Sequence, residues 1–162
     1  MSYTLQQHLA YNVWANRKIA DFLESAGENV FHSEVISSFP SMQKTVLHIW
    51  DAEYIWLKRL EGESLTSFPG KNFTGTMQQC LQGWQQCSQQ FADYITGKNE
   101  QYYASVCHYK NLKGDAFSNT VEEIVMHVVN HGAFHRGQVI TLLRQQGYTQ
   151  LTSTDLITFM RL

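Results

Sequence analysis

A long segment near the carboxyl end has the clearest pattern in this chain: Thr120-Val-Glu-Glu-Ile-Val-Met-His-Val-Val-Asn-His-Gly-Ala-Phe-His135. Its apolar residues recur at intervals of three and four, which is the period of an amphipathic helix. Thr120, with Glu123 three residues later, is a capping-box signature and marks the beginning of the helix. Gly147 is a natural carboxyl-terminal stop, so we predict a helix from the Thr120 cap to about Gln146.

Three earlier segments show the same helical spacing of apolar residues. They predict a first helix from about Tyr3 to Ser25, a second from Ser41 to Leu60, and a third that begins at Met77 and ends at Gly97. The connections contain glycine, serine and proline, as in residues 26–40 and in the turn-rich linker Ser67-Phe-Pro-Gly70. The chain is therefore expected to contain four long helices.

The segment between the third and fourth helices has a different character. Tyr102-Tyr-Ala-Ser-Val-Cys-His-Tyr109 is rich in β-forming residues and precedes a turn signal, Asn111-Leu-Lys-Gly-Asp115. We predict a short β-hairpin here, and a short extra helix within residues 152–162. The expected fold class is all-α: a four-helix bundle with a small β-hairpin between helices three and four.

Composition and charge limit the cellular locations and the partners that we expect for this chain. At 162 residues the chain has the length of one domain, and we expect residues 1–162 to form a single unit. The formal charge of −2 gives no basic surface, which argues against a nucleic-acid partner. No stretch approaches the roughly 20 apolar residues of a membrane span, and the amino terminus lacks signal-peptide features. The three cysteines include no C-x-x-C pair, as is typical of reduced thiols in a cytoplasmic protein.

The histidines are the candidate functional residues. Each helix position advances by about 100°, so with Ile124 at zero His131 and His135 fall at about −20° and 20°, beside the buried stripe. His127 falls at about −60°, towards the flank of the helix. His48 lies at the edge of the apolar face of the second helix. Two imidazoles from one helix and one from another can form a three-nitrogen metal site with open positions.

Several simpler interpretations stay open at this point. Histidines at the edge of a helix are often hydrogen-bonded without any metal. Gly132 and Gly137 each cost about 1 kcal/mol relative to alanine inside a helix, so either a group approaches them closely or a neighbouring helix packs there. Cys80 and Cys87 share a helix face and are expected to be small core residues rather than metal ligands.

Five motifs together resemble the DinB/YfiT-like family of metalloenzymes. The most specific is His131-Gly-Ala-Phe-His135-Arg-Gly-Gln138, which continues to Gly147 and is similar to the closing helix of that family. The others are His8-Leu-Ala-Tyr-Asn-Val-Trp-Ala-Asn16, Leu47-His-Ile-Trp-Asp-Ala-Glu53, Asn111-Leu-Lys-Gly114 and Asp155-Leu-Ile-Thr-Phe159. The resemblance therefore covers nearly the whole chain.

The resemblance implies an up-and-down four-helix bundle that is frequently a homodimer. It also implies a divalent metal ion, most often nickel or zinc, with iron or manganese as alternatives. Carried over by position, the metal ligands are His48, His131 and His135. The extra His127 is not among the matched ligands and could serve beside the metal or contact the substrate.

Relatives of this fold include thiol-dependent transferases and isomerases, so the resemblance favours transfer of a low-molecular-weight thiol to a small-molecule substrate. Metal-assisted hydrolysis is the next hypothesis, because a divalent ion held by neutral imidazoles acidifies bound water or thiol. A non-catalytic metal-binding stress-response protein, or an interaction module using Trp50 or Tyr54 as a dimer surface, are further alternatives. Asn12, Asn16 and Gln138 could reach the same cavity, or could be core amides that fix helix register.

Overall fold

The computed structural model describes residues 4–162 and confirms the four-helix bundle with its small hairpin. The predicted start of the first helix at Tyr3 lies outside the described residues. Four long helices form the bundle: α1 (Leu5–Ala26), α3 (Met42–Leu60), α4 (Met77–Thr96) and α6 (Val121–Gln145). The shorter elements are α2 (Glu28–His32), a 3₁₀ turn (Pro69–Asn72), α5 (Glu100–Tyr103), β1 (Val106–Lys110), β2 (Ala116–Thr120) and α7 (Leu156–Phe159).

Side-chain caps set the amino-terminal ends of the long helices. Three threonines form reciprocal capping boxes with the third residue of the helix that follows: Thr4 with Gln7, Thr76 with Gln79, and Thr120 with Glu123. Ser41 caps α3 by accepting a hydrogen bond from the Lys44 backbone N–H. Each cap satisfies backbone donors that would otherwise have no partner in the first turn. The capping box predicted at Thr120 is confirmed.

Two apolar clusters fill the opposite ends of the bundle and reveal the direction of each helix. The Leu23 cluster joins the end of α1 to the beginnings of α3 and α4 and the end of α6, through Leu23, Met42, Leu81 and Leu143. The Ile95 cluster joins the other ends, through Leu9, Leu57, Ile95 and Val125. Helices α1 and α6 therefore run in one direction, and α3 and α4 run in the other.

The chain reverses direction from α1 to α3 and again from α4 to α6, but not from α3 to α4. Between α3 and α4 the long connection 61–76 carries the chain back along the bundle, so these two helices are parallel neighbours. Both α1 and α3 pack against α4 and α6, which places α1 and α3 diagonally across the core. Helices α3 and α6 are thus antiparallel neighbours, and this pairing positions the candidate site.

Two local predictions differ from the structure. Tyr102 and Tyr103 lie in α5 rather than in a strand, because the Asn99 side chain caps this turn and the buried Tyr103 hydroxyl donates to the Lys98 carbonyl. The strand begins only at Val106, which pairs with Thr120 in the antiparallel hairpin. The connection 26–40 contains the short helix α2, whose Phe31 side chain enters the Leu23 cluster.

Among residues 4–162, none of the helices combines the length and the apolar character that a bilayer crossing demands.

A carboxylate on α3 holds the 3₁₀ turn against the bundle. The Asp51 side chain accepts a hydrogen bond from the Gly70 backbone N–H at 2.6 Å. Burial raises the pKa of Asp51 to about 6, although this hydrogen bond and the nearby Lys44 oppose the shift. The folded protein therefore binds a proton at Asp51 more tightly than the unfolded chain does.

We expect Asp51→Asn to make the free energy of unfolding less dependent on pH. Because the folded pKa is raised, the stability contributed by protonated Asp51 is complete below the unfolded pKa and is lost as pH rises through about 6. The asparagine oxygen still accepts from Gly70. The free energy of unfolding of the variant should therefore rise relative to that of the wild type between about pH 4 and pH 7. Urea unfolding of both proteins across this range measures the difference, and a constant difference would contradict the expectation.

Candidate metal centre

Three histidines from two helices converge near the Leu23 end of the α3–α6 interface. His48 comes from α3, and His131 and His135 come from successive turns of α6. One ring nitrogen from each lies within 4.8 Å of the others. The Nε2 atoms of His48 and His131 are 2.9 Å apart, and the three ring centroids are separated by 4.5 to 4.8 Å. The structure therefore brings together all three of the predicted ligands, whose role as ligands stays a prediction.

The location of the three rings follows from the helical pattern. His131 and His135 are four residues apart and so occupy the same side of α6, which faces α3. His135 is buried, with 6% of its surface exposed, while His48 and His131 are half-buried. The edge position predicted for His48 agrees with its partial exposure. Solvent can therefore reach two of the three imidazoles.

Gln138 fixes the orientation of the buried ring. Its Oε1 atom lies 2.8 Å from His135 Nδ1, and its side-chain amide donates to the Ser38 hydroxyl at 3.1 Å. Because an amide oxygen only accepts, His135 carries its proton on Nδ1 and leaves an electron pair on Nε2. Such an outer hydrogen bond is what a metal-bound histidine usually makes. Gln138 thus orients the His135 ring.

The surroundings of His48 and His131 favour the neutral form of these two rings, which is the form that a metal needs. Burial first, and then the proximity of His135, His48 and His127 in that order of effect, lower the pKa of His131 to about 4. Burial, followed by the proximity of His135, also lowers the pKa of His48. Imidazoles that resist protonation keep their nitrogen electron pairs available at neutral pH.

The donor set fits a borderline divalent ion. Imidazole nitrogens bind zinc at about 2.0–2.1 Å, so two nitrogens on one ion lie roughly 3 Å apart, close to the separation of His48 Nε2 and His131 Nε2. Imidazole ligands suit zinc, copper, iron and nickel, whereas magnesium and calcium prefer oxygen ligands. In the part of the chain that the structure describes, this histidine group includes no carboxylate or thiol.

Aromatic side chains border the histidine site. The Phe39 ring lies 4.5 Å from the His48 ring and 5.7 Å from the His135 ring, measured between centroids. Phe134, which is largely exposed, meets the other edge of His135 at 5.0 Å. The segment that carries Phe39 is held in place through the Ser38–Gln138 hydrogen bond. These two phenylalanines give the site an apolar border.

His127 lies at the rim, outside the group of three. Its ring is 5.9 Å from the His131 ring and 5.5 Å from that of Trp56, and the residue is exposed. Burial of part of its ring and the positive charge of Arg59 lower the pKa of His127. The flank position predicted from helical spacing agrees with this placement. His127 is close enough to contact a molecule bound at the three histidines.

A second polar group lies in the centre of the bundle, and only its Asn12 and Asn16 were singled out from the sequence. Glu53 of α3 accepts hydrogen bonds from the Asn12 and Asn16 side-chain amides at 2.7 and 2.8 Å, and from the Ser88 hydroxyl at 2.5 Å. The same two asparagines accept from Arg136 Nη1, each at 2.6 Å. These five side chains, all buried, form a network that we call the central network.

Asn12 and Asn16 therefore face the centre of the bundle and bridge two opposite charges. Burial raises the pKa of Glu53, while the hydrogen bonds and the positive charge of Arg136 oppose this shift. Helical spacing could have located the two charges: Glu53 continues the buried series of Ile49 and Leu57, and Arg136 that of Val129 and Val139. A charged residue within a buried stripe is seldom found without a partner.

Two cysteines and two tryptophans are packing residues of the bundle. Cys80 and Cys87 are buried, and burial raises the pKa of Cys80 to about 12, so neither behaves as a reactive thiolate. Trp84 is completely buried in the Leu23 cluster. Trp50, one of the two aromatics considered for a dimer surface, is half-buried and packs against Gly83 of α4.

The two glycines of α6 differ in what surrounds them. A Cβ atom at Gly132 would lie 2.8 Å from Arg136 Nη1 and 3.1 Å from Asn12 Oδ1, whereas one at Gly137 would meet nothing within 4 Å. Gly132 thus leaves room for the central network. We expect Gly137→Ala to raise the free energy of unfolding by about 1 kcal/mol through helix propensity alone.

The matched variant Gly132→Ala gains the same propensity but crowds the network, so it should be less stable than Gly137→Ala by about 1–3 kcal/mol. Urea denaturation of the two variants measures this difference directly. Equal stability of the two variants would show that Gly132 is not required by its neighbours.

Comparison with known proteins shows similarity over nearly the whole chain. The model of the DinB family matches residues 1–161. Protein DinB of Bacillus subtilis (strain 168) is 27% identical over 158 residues, which span 93% of this chain and 91% of that protein.

Two solved structures share the fold. A DinB-like protein from Bacillus cereus ATCC 10987 superposes with a TM-score of 0.72 at 17% identity, covering 92% of this chain and 95% of that one. YfiT from Bacillus subtilis, described as a probable metal-dependent hydrolase with an unusual four-helix bundle topology, gives a TM-score of 0.69 at 14% identity. That alignment covers 91% of this chain and 92% of YfiT.

Proposed function

Because the chain belongs to the DinB family, we propose that it is a divalent-metal-dependent enzyme whose ion is held by His48, His131 and His135. The observation that carries this proposal is the convergence of one nitrogen from each ring within 4.8 Å. We further propose nickel or zinc as the ion, because a set of three imidazoles suits both. We also propose a homodimer, as the family resemblance implies, and a cytoplasmic location, as the three cysteines without a C-x-x-C pair predict.

The reaction that we propose is the transfer of a low-molecular-weight thiol to a small electrophile. A divalent ion bound by three neutral imidazoles keeps its double charge, so it favours the thiolate form of a bound thiol. This suits a site whose histidine group, within the described residues, has no carboxylate to act as a general base. The nearby carboxylates Asp51 and Glu53 are engaged by Gly70 and by the central network.

The protein side chains supply orientation and exclusion of water. Gln138 keeps the Nε2 atom of His135 unprotonated, and Phe39 covers the rings of His48 and His135. His127, at the rim and 5.9 Å from His131 between ring centroids, is placed to exchange a proton with a bound molecule. The apolar border of Phe39 and Phe134 favours a substrate with an uncharged or aromatic portion.

Metal-assisted hydrolysis is the second candidate. It is favoured by the shared fold of YfiT, described as a probable metal-dependent hydrolase. The same three imidazoles would make a bound water acidic near neutral pH. If the protein binds the ion but turns over neither kind of substrate, its role is non-catalytic metal binding.

The test is a turnover screen with zinc- or nickel-loaded protein. We expect consumption of free cysteine in the presence of one of a panel of electrophiles, and loss of this activity in His135→Ala. His108→Ala removes an exposed histidine of the hairpin and serves as the matched control, which should keep full activity. Hydrolysis of an ester panel without thiol consumption would favour the second candidate. Bound metal with neither activity would refute an enzymatic role.

A further inference from the structure

The central network connects the two helices that carry the histidines. Glu53 lies five residues after His48 on α3, and Arg136 directly follows His135 on α6. Between these two charges, the Asn12 and Asn16 side chains of α1 donate to the carboxylate and accept from the guanidinium. Ser88 of α4 donates to the other carboxylate oxygen. Every helix of the bundle therefore contributes to one chain of hydrogen bonds.

Stability alone does not explain this arrangement. A buried pair of charges is often no more stable than well-packed apolar residues of similar volume, because both ions lose their hydration. Such a network instead imposes a specific geometry on the helices, because each amide must present its oxygen to Arg136 and its nitrogen to Glu53. Apolar contacts tolerate small displacements between helices, whereas these short hydrogen bonds weaken steeply when their geometry changes.

A site shared by two helices is sensitive to their relative position. Metal–ligand distances tolerate deviations of about 0.2 Å. Displacement of α3 along α6 by a single residue is a shift of about 1.5 Å, which would separate His48 from the pair on α6. Val46 and Ile49, beside His48, contribute apolar packing to the Leu23 cluster.

We propose that Glu53 and Arg136 are positioning residues of the metal centre: through Asn12 and Asn16 they fix α3 against α6, so that His48 meets His131 and His135. This inference rests on the proposed function in one respect, namely that the three histidines hold an ion. Glu53 and Arg136 touch neither the ion nor the substrate and act only through the helices that carry the ligands.

The test is cobalt(II) binding by Glu53→Gln. Glutamine keeps the shape of the side chain and can still accept from the asparagine amides. The Ser88 hydroxyl, 3.0 Å from the Trp84 carbonyl, can donate there and accept from the new amide. We expect the affinity for cobalt(II) to fall by about 10-fold or more, as for residues that orient metal ligands, and the visible absorption of the bound cobalt to change.

A stability-matched control separates positioning from general weakening. Ile95→Val or Ile95→Ala, whichever lowers Tm as much as Glu53→Gln does, acts in the Ile95 cluster. We expect that control to keep the wild-type cobalt(II) spectrum and an affinity within about twofold of the wild type. If Glu53→Gln does not fold, Ser88→Ala replaces it, because this variant removes only one of the hydrogen bonds to the carboxylate.

The outcomes are distinct. Weaker binding and an altered spectrum in the folded network variant, but not in the Ile95 control, support the proposal. An unchanged affinity and spectrum in the network variant, or equal losses in the control, overturn it while leaving the metal site intact. If the wild type itself binds no cobalt(II), the proposed function fails, and the positioning role fails with it.

Discussion

Replacing His131 by alanine is expected to abolish the binding of zinc or nickel while leaving the bundle folded. The three rings lie at nearly equal centroid distances of 4.5 to 4.8 Å, and the loss of His131 leaves two imidazoles on different helices. The imidazole is half-buried and neutral, and its removal exposes no unpaired charge. Metal analysis of purified protein, with circular dichroism as the measure of folding, checks both parts.

His127→Ala is the matched control for this experiment. It removes an imidazole one turn earlier on the same helix, outside the group of three. We expect this variant to retain the wild-type metal content. Equal loss of metal from both variants would mean that the site includes His127, and full retention by His131→Ala would remove His131 from the ligand set.

The largest effect on stability is expected from Arg136→Met. The arginine is 2% exposed, and each of the two asparagines that accept its hydrogen bonds also donates a hydrogen bond to Glu53. Methionine fills much of the volume but leaves Glu53 buried without a counter-charge, a change that typically costs about 3–5 kcal/mol. The loss should grow as pH rises, because burial already raises the pKa of Glu53 and its ionisation would become still less favourable.

Arg144→Met provides the comparison for the charge change itself. Arg144 is exposed in the last turn of α6, where a cation interacts favourably with the helix carboxyl end by about 0.3–1 kcal/mol. Urea unfolding at two pH values distinguishes the two variants. If Arg136→Met cost no more than Arg144→Met, the central network would not contain an energetically coupled pair of charges.

Much of the architecture could be predicted from local patterns. The Thr120–Glu123 capping box and the helix of apolar residues behind it lie where expected, because caps and helical period depend on residues close in sequence. The same period placed His131 and His135 on the inner side of α6 and His127 on its flank, as the structure shows. Helical position also made His48 a candidate companion, and the family resemblance matched it to a ligand position.

The remaining features depend on contacts between distant segments. Helical periodicity shows which face of a helix is buried but not which helix covers it, so the parallel pairing of α3 and α4 could not be inferred. The hydrogen bond from Gln138 to Ser38 spans 100 positions in the sequence. Glu53 and Arg136 lie on predictable stripes, yet only the fold shows that two asparagines join them.

X-ray absorption spectroscopy of the zinc-loaded wild-type protein tests the metal centre most directly. If His48, His131 and His135 share one ion, the spectrum should show three imidazole nitrogens at about 2.0–2.1 Å, with the remaining positions filled by oxygen ligands such as water. A spectrum with fewer than three imidazoles, or with sulfur in the coordination sphere, would contradict this account of the site.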